Sequence, residues 1–141
     1  PIVYRSGEPL PVVLAAHNGV AVDFKLLVDA IGKGGAEPRR VLIDAGVVGF
    51  FDSLRFAKRF LRGLKSSSNR AVFEALVPTA SESRYKWHCA VDDSSASADW
   101  LTTPHVAQLL LEHDVMAPLD TILAYVSRTR EAATKKKSSR K

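Results

Sequence analysis

The segment 11–31 constrains the fold of this chain more than any other. It begins with a short apolar run rich in valine, PVVLAA at 11–16, which predicts a buried strand. A polar His-Asn-Gly turn follows at 17–19. From Asp23 onward the apolar residues fall at helical spacing, until GKGG at 32–35 ends the pattern. A buried strand that leads into an amphipathic helix predicts an α/β protein.

Asp23 stands where this strand, the turn and the helix meet. In open α/β sheets ligands bind at the carboxyl ends of strands, so a carboxylate there is well placed for chemistry. It is also well placed to cap the helix by accepting hydrogen bonds from free N–H groups. The residues alone therefore leave two interpretations of Asp23, a ligand of a metal site or an ordinary helix cap.

The rest of the chain predicts one more strand and several helices. The pattern favours a strand at 47–51, after a loop at 36–40, while 41–45 suits either a helical turn or part of that strand. Capped helices are predicted at 53–64, with Ser53 as the cap, and at 69–77, with Asn69 as the cap. Further helical segments are 87–103, 105–116 and 119–133.

Length and composition place the chain among ordinary globular proteins. Its 141 residues allow one domain with a sizeable core, with 46% apolar and 25% charged residues. No apolar run is long enough to span a bilayer, and the first residues lack the plan of a signal peptide, so we expect no membrane partner. The single cysteine, Cys89, fits a reducing intracellular compartment, with nucleus and mitochondrion both left open.

Positive charge is concentrated in two places, and the net charge is +5. The segment 133–141 ends in TKKKSSRK and is predicted to be a disordered basic tail, either a contact for a polyanion or simply a solvated end. The helix at 53–64 carries arginines opposite its apolar stripe. These could follow a phosphate backbone, or they could form an ordinary solvated face. The arginines concerned are Arg55, Arg59 and Arg62.

His88 and Asp93 form the pattern most typical of chemistry, in the stretch HCAVDD. His88 lies just before a predicted helix, and Asp93 lies in its first turns. In such an arrangement the carboxylate can bind a hard divalent cation while the imidazole takes a proton from water. A histidine near an aspartate is also common in purely structural roles, so the pair alone leaves both interpretations open.

The order of these segments resembles the DEDDh family of 3′→5′ exonucleases, which have a ribonuclease-H-like fold. It is most similar to the branch of the three-prime repair and proofreading exonucleases. The resemblance covers residues 11–101. The matching residues are His17-Asn18-Gly19 with Asp23-Phe24 for the second motif, Asp52-Ser53-Leu54 for the middle segment, and His88, Ala90 and Asp93 for the third motif.

The resemblance implies a two-metal site that hydrolyses nucleic-acid 3′ ends, with single-stranded DNA or RNA as partner. It assigns Asp93 and Asp23 as ligands of two Mg²⁺ or Mn²⁺ ions and His88 as the general base. Asn18 shapes the turn before Asp23, and we group it with the three arginines as a nucleic-acid contact. Residues 1–132 would form the exonuclease-like domain, which is the C-terminal part of the fold.

One motif of the family is missing from this chain. The family has Asp-x-Glu on its first strand, but only Glu8 precedes Asp23 here, and no Asp-x-Glu lies on an apolar run. We therefore expect the N-terminal strands to come from another segment or another chain. The alternatives are a catalytically inactive exonuclease-like module that binds nucleic acid or a ribonucleoprotein, and a small basic interaction protein whose His and Asp residues are structural.

Overall fold

A computed structural model describes residues 10–77 and 85–138 of the chain. The protein is mixed α/β, with 59% helix and a small three-stranded sheet. The predicted α/β class is therefore confirmed. The described chain forms two compact units, with residues 10–14, 20–51 and 116–138 in the first and residues 15–19, 52–77 and 85–115 in the second.

Helices predominate over strands in both units. The strands are β1 (Val12–Ala16), β2 (Val47–Asp52) and β3 (Ala117–Pro118). Within the described residues the helices are, in chain order, α1 (Asp23–Lys33), α2 (Pro38–Asp44), α3 (Ser53–Phe60), α4 (Asn69–Leu76), α5 (Ala90–Leu101), α6 (Pro104–Glu112) and α7 (Leu119–Ser138).

The sheet has the strand order β1-β2-β3, and both strands predicted from apolar runs are present. The burial predicted for the first strand is wrong, because the side chains of β1 alternate between half-buried and exposed. β2 and β3 are antiparallel, with Gly49 opposite Pro118. Since the sheet is mixed, β1 and β2 run parallel. A Cβ atom at Gly49 would lie 2.7 Å from the Met116 sulfur and 2.8 Å from the Ala117 carbonyl oxygen. Glycine at this position therefore allows β3 to approach β2 closely.

In the first unit, α1, α2 and α7 supply the apolar side chains that pack with the sheet residues. Phe24 of α1 contacts Phe50 of β2, with ring centroids 4.5 Å apart, and both side chains are buried. Leu42, Ile122 and Val126 are also buried in this unit. The prediction of a loop at 36–40 is partly wrong, because α2 begins at Pro38. Proline at the first helical position, after the capping residue Glu37, is the signal for this start.

In the second unit, α3 to α6 pack around Trp100, whose side chain is completely buried. Its indole stacks on Phe56 with ring centroids 6.4 Å apart. α4 and α5 pack against one another, and the small residue Ala96 of α5 is completely buried. Phe56 of α3 is also buried in this core.

Two predicted helix caps are wrong by one residue. The N-cap of α3 is Asp52 rather than Ser53, and the N-cap of α4 is Ser68 rather than Asn69. In each case both adjacent residues are of a type that caps helices well. The second residue of each pair makes tertiary hydrogen bonds instead, so the first residue is the cap. α7 continues through the first six residues of the predicted basic tail at 133–141. Within the described residues, no helix has the length and apolar character needed to cross a membrane.

Candidate functional site

His17 lies in a polar cluster of the second unit. It directly follows β1, and its ring joins two other segments. Nδ1 lies 3.0 Å from Ser53 Oγ, and Nε2 lies 2.9 Å from the Ser67 carbonyl oxygen. A carbonyl oxygen only accepts hydrogen bonds, so the hydrogen of the neutral ring is on Nε2. Nδ1 then accepts from the Ser53 hydroxyl, which is almost completely buried.

The electrostatic environment keeps this imidazole neutral. Burial, which disfavours the charged ring, is the largest influence and lowers the pKa of His17 below its usual 6.5. The hydrogen bond to the Ser67 carbonyl and the nearby carboxylates of Asp52 and Asp93 oppose this by raising the pKa, while Lys58 lowers it further. The neutral ring agrees with the hydrogen-bond pattern. Both carboxylates, Asp52 and Asp93, therefore interact electrostatically with the His17 ring.

Asp52 connects the His-Asn-Gly turn to the start of α3. Its carboxylate is buried and accepts from the backbone N–H groups of Leu54 at 3.0 Å and Arg55 at 3.3 Å, as an N-cap does. The same Oδ1 accepts from the N–H of Asn18 at 3.1 Å. Asn18 has a φ of 69°, a left-handed conformation that asparagine tolerates better than most residues. One carboxylate therefore holds two motif segments together.

Asp93 is attached through its backbone to the start of α4. Its carbonyl oxygen accepts from the Asn69 side-chain amide at 2.8 Å and lies 3.0 Å from Ser97 Oγ. Within the described residues, no hydrogen bond involves the Asp93 carboxylate itself. The Asp93 side chain is half-buried, and its carboxylate contributes to the electrostatic environment of His17.

His88 lies in the turn before α5, as predicted, with an exposed side chain and a φ of 66°. The turn is closed onto the helix start because the Asp92 carboxylate accepts from the Lys86 N–H at 3.0 Å. In the described part of the chain, the His88 imidazole has no hydrogen-bond partner. Both ring nitrogens can therefore take part in proton transfer.

Asp23 belongs to the first unit, where it is exposed in the first turn of α1. Val22 occupies the N-cap position of this helix. Among residues 10–77 and 85–138, no hydrogen bond or ion pair involves the Asp23 carboxylate. The predicted meeting of Asp23 with His88 and Asp93 in one cleft stays a prediction.

The three arginines predicted to contact nucleic acid have solvent-exposed side chains in the second unit, whereas the fourth predicted contact, Asn18, is half-buried. Arg55 Nε lies 3.9 Å from an Asp52 carboxylate oxygen, and the Arg59 guanidinium lies 4.9 Å from the centroid of the Phe60 ring. Arg62 follows the end of α3. All three guanidinium groups can reach a polyanion, and the contacts of the first two orient them along α3.

The described residues do not form a complete site for two divalent ions. Among them, no three His, Cys, Asp or Glu side chains lie close enough to hold a metal. Mg²⁺ prefers about six oxygen ligands, more than the carboxylates predicted from this sequence provide. The chain therefore offers part of a donor set, and no catalytic step through a metal is derived from it.

Two residues of the site have roles that the sequence pattern did not predict. His17 was expected only as part of a turn, and Asn69 was expected to be a helix cap. Both instead make side-chain hydrogen bonds to residues at least 24 positions away. The available signals were a polar residue directly after a predicted strand and two adjacent residues of capping type.

Comparisons of the chain with protein-family models, curated proteins and solved structures find no match. The resemblance to an exonuclease family therefore stays a prediction from the motif residues of the sequence.

Proposed function

We propose that the chain is the C-terminal part of a metal-dependent 3′→5′ exonuclease of the DEDDh type, with a ribonuclease-H-like fold. The main support is that parts of three motifs meet in the second unit. His17 bonds to Ser53 of the middle segment and to the Ser67 carbonyl. Two residues after Ser67, the Asn69 amide donates to the Asp93 carbonyl of the third motif. These segments are 36 or more residues apart, so their meeting is independent of the sequence pattern from which they were chosen.

The proposed chemistry assigns separate tasks to His88 and Asp93. The His88 imidazole takes a proton from the attacking water, which requires a ring nitrogen without another partner. Asp93 would contribute a carboxylate oxygen to the metal site, and the remaining ligands would have to come from an Asp-x-Glu segment and other carboxylates. Bound Mg²⁺ or Mn²⁺ would supply charge stabilisation at the scissile phosphate.

The proposed substrate is a single-stranded 3′ end of DNA or RNA. The exposed guanidinium groups of Arg55, Arg59 and Arg62 support this, because binding to a phosphate backbone depends on cations that can displace its counterions. The same arginines support a second candidate function. A catalytically inactive module that binds nucleic acid or a ribonucleoprotein would need these cations and would not need Asp-x-Glu.

The test is magnesium-dependent trimming of an end-labelled single strand. It is measured with the 141-residue chain and with the longest natural product of the gene that contains these residues. We expect trimming by the longer product and little or none by the 141-residue chain. Strong trimming by the 141-residue chain would show that the first motif has been misassigned. Salt-sensitive binding without trimming by either form would favour the inactive module.

Two substitutions in the active form separate the assigned roles. His88→Ala should lower turnover by roughly 10²- to 10⁴-fold while single-strand binding stays nearly unchanged. Asp93→Ala should abolish both activity and Mn²⁺ binding, with little change in melting temperature. The matched controls His105→Ala and Asp114→Ala remove an exposed imidazole and an exposed carboxylate of the same unit. If Asp93→Ala lost stability but retained trimming, the metal-ligand role of Asp93 would be refuted.

A further inference from the structure

Asn69 uses its side-chain amide to connect α4 with one face of α5. Its Oδ1 accepts from the Trp100 indole N–H at 2.9 Å and lies 3.0 Å from Ser97 Oγ. Its Nδ2 donates to the Asp93 carbonyl oxygen at 2.8 Å. The partners Asp93, Ser97 and Trp100 are spaced four and three residues apart, so they lie along one side of the helix.

The orientation of this amide is determined by its partners. An indole N–H can only donate, so the oxygen of Asn69 must face Trp100. The Asp93 carbonyl can only accept, so the NH₂ group must face Asp93. A flipped amide would put a donor against a donor at one end and an acceptor against an acceptor at the other. Asn69 therefore fits this place in one orientation only.

The amide is bonded at the residue whose carboxylate has a proposed function. Asp93 lies in the first turn of α5, and helix ends loosen more readily than helix centres. Its carbonyl oxygen is near two side-chain donors, Asn69 Nδ2 and Ser97 Oγ. Only two side-chain torsions separate this backbone from the carboxylate that acts on His17. Holding the carbonyl therefore limits where the carboxylate can be.

We propose that Asn69 is a positioning residue for Asp93 and, by holding the Asp93 carbonyl oxygen, limits where the Asp93 carboxylate can lie. The proposal rests on the proposed function in one respect, since it takes Asp93 to be a metal ligand. Asn69 touches neither substrate nor metal in this role. It acts through the backbone of Asp93, whose carbonyl oxygen by itself requires the NH₂ group of Asn69 to face it.

The experiment uses the 141-residue chain and two NMR readouts that do not require activity. One is the pKa of the His17 imidazole, which the Asp93 carboxylate raises. The other is broadening of the Asp93 carboxylate carbon signal by added Mn²⁺ alone. In Asn69→Ala we expect a lower His17 pKa than in the unmodified chain, because the carboxylate spends less time nearby. We also expect weaker broadening at Asp93.

Two controls separate positioning from general loosening of the helices. Ser68→Ala removes the α4 cap without touching Asp93, since the Ser68 hydroxyl accepts only from the Ala71 N–H in the described contacts. Trp100→Phe removes the indole donor and leaves the bond from Asn69 to Asp93 in place. Both should keep the His17 pKa of the unmodified chain. If either control moved it as much as Asn69→Ala does, Asn69 would be a packing residue and the proposal would be overturned.

Asn69→Asp tests the same idea in case the alanine variant fails to fold. It keeps an acceptor for Ser97 and Trp100 and loses only the donor to Asp93. We expect less Mn²⁺ broadening at Asp93, although an added carboxylate by itself attracts the ion. Equal or stronger broadening would overturn the proposal.

The two proposals can fail separately. If Asn69→Ala lowers the His17 pKa but Asp93→Ala changes neither Mn²⁺ binding nor trimming, Asn69 positions Asp93 and the exonuclease assignment is wrong. If Asp93→Ala abolishes trimming while Asn69→Ala leaves the His17 pKa and the Mn²⁺ broadening unchanged, the positioning role is wrong and the exonuclease assignment stands.

Discussion

Replacing Asp52 by alanine removes the acceptor of three backbone N–H groups in a single step. Two of them, on Leu54 and Arg55, begin α3, and losing such a cap costs about 1 kcal/mol. The third belongs to Asn18, and leaving a partly buried N–H without a partner costs about 1–3 kcal/mol. We therefore expect Asp52→Ala to lower the free energy of unfolding of the second unit by roughly 2–4 kcal/mol.

Tryptophan fluorescence can follow this unit by itself. The chain has two tryptophans, and both Trp87 and Trp100 lie in the second unit. Trp100 is completely buried, so its emission should shift when the unit unfolds. Urea titrations should give a lower midpoint for Asp52→Ala with the same slope, because the surface exposed on unfolding is unchanged.

Two variants determine whether the reasoning is correct. Asp52→Asn keeps a side-chain oxygen at the same position and should cost less than about 1 kcal/mol, since asparagine caps helices as well as aspartate does. Ser68→Ala removes an exposed cap in the same unit and should cost about 0.5–1 kcal/mol. If Asp52→Ala cost no more than Ser68→Ala, the bond to Asn18 would contribute nothing, and the argument would be refuted.

Three further predictions follow from other parts of the structure. The pKa of His17 is lower in the folded protein than the usual 6.5, which applies to the unfolded chain. Between the folded pKa and 6.5 the unfolded state therefore binds more protons, so the second unit should lose stability as the pH falls through this range. His17→Gln should flatten this dependence in urea titrations. A triple substitution to glutamine at Arg55, Arg59 and Arg62 should reduce the logarithmic salt slope of single-strand binding by about 2. An unchanged slope would count against contact of these arginines with the phosphate backbone. Glu37→Ala should cost about 1 kcal/mol by circular dichroism, since Glu37 caps α2 at Arg39 and Arg40.

Much of the secondary structure could be read from the sequence. The apolar run at 11–16 and the valines and phenylalanines at 47–51 predict β1 and β2, and periodicity predicts the helices that follow. These features depend on neighbours within a few residues, so the local pattern contains the information. The predictions that failed, such as the caps of α3 and α4, concern adjacent residues with equal local preference.

The motif positions were also accessible from the sequence, but their supporting contacts were not. His88 before α5 and Asp93 in its first turn lie where the stretch HCAVDD predicts them. The packing of α4 on α5 turns the Asn69 side chain toward Asp93. Ser68 then caps α4 instead of Asn69. No pattern within either helix encodes that packing.

The sequence by itself determined the α/β class, the positions of β1 and β2, and most of the helices. It also supplied the candidate residues Asp23, His88 and Asp93. Only the tertiary structure decided that His17 would bond to Ser53 and to the Ser67 carbonyl, 36 and 50 residues away. The physical reason is that hydrogen bonds between distant segments form after helices and strands have packed. Their partners are then selected by geometry and burial, which leave no periodic signal in the chain.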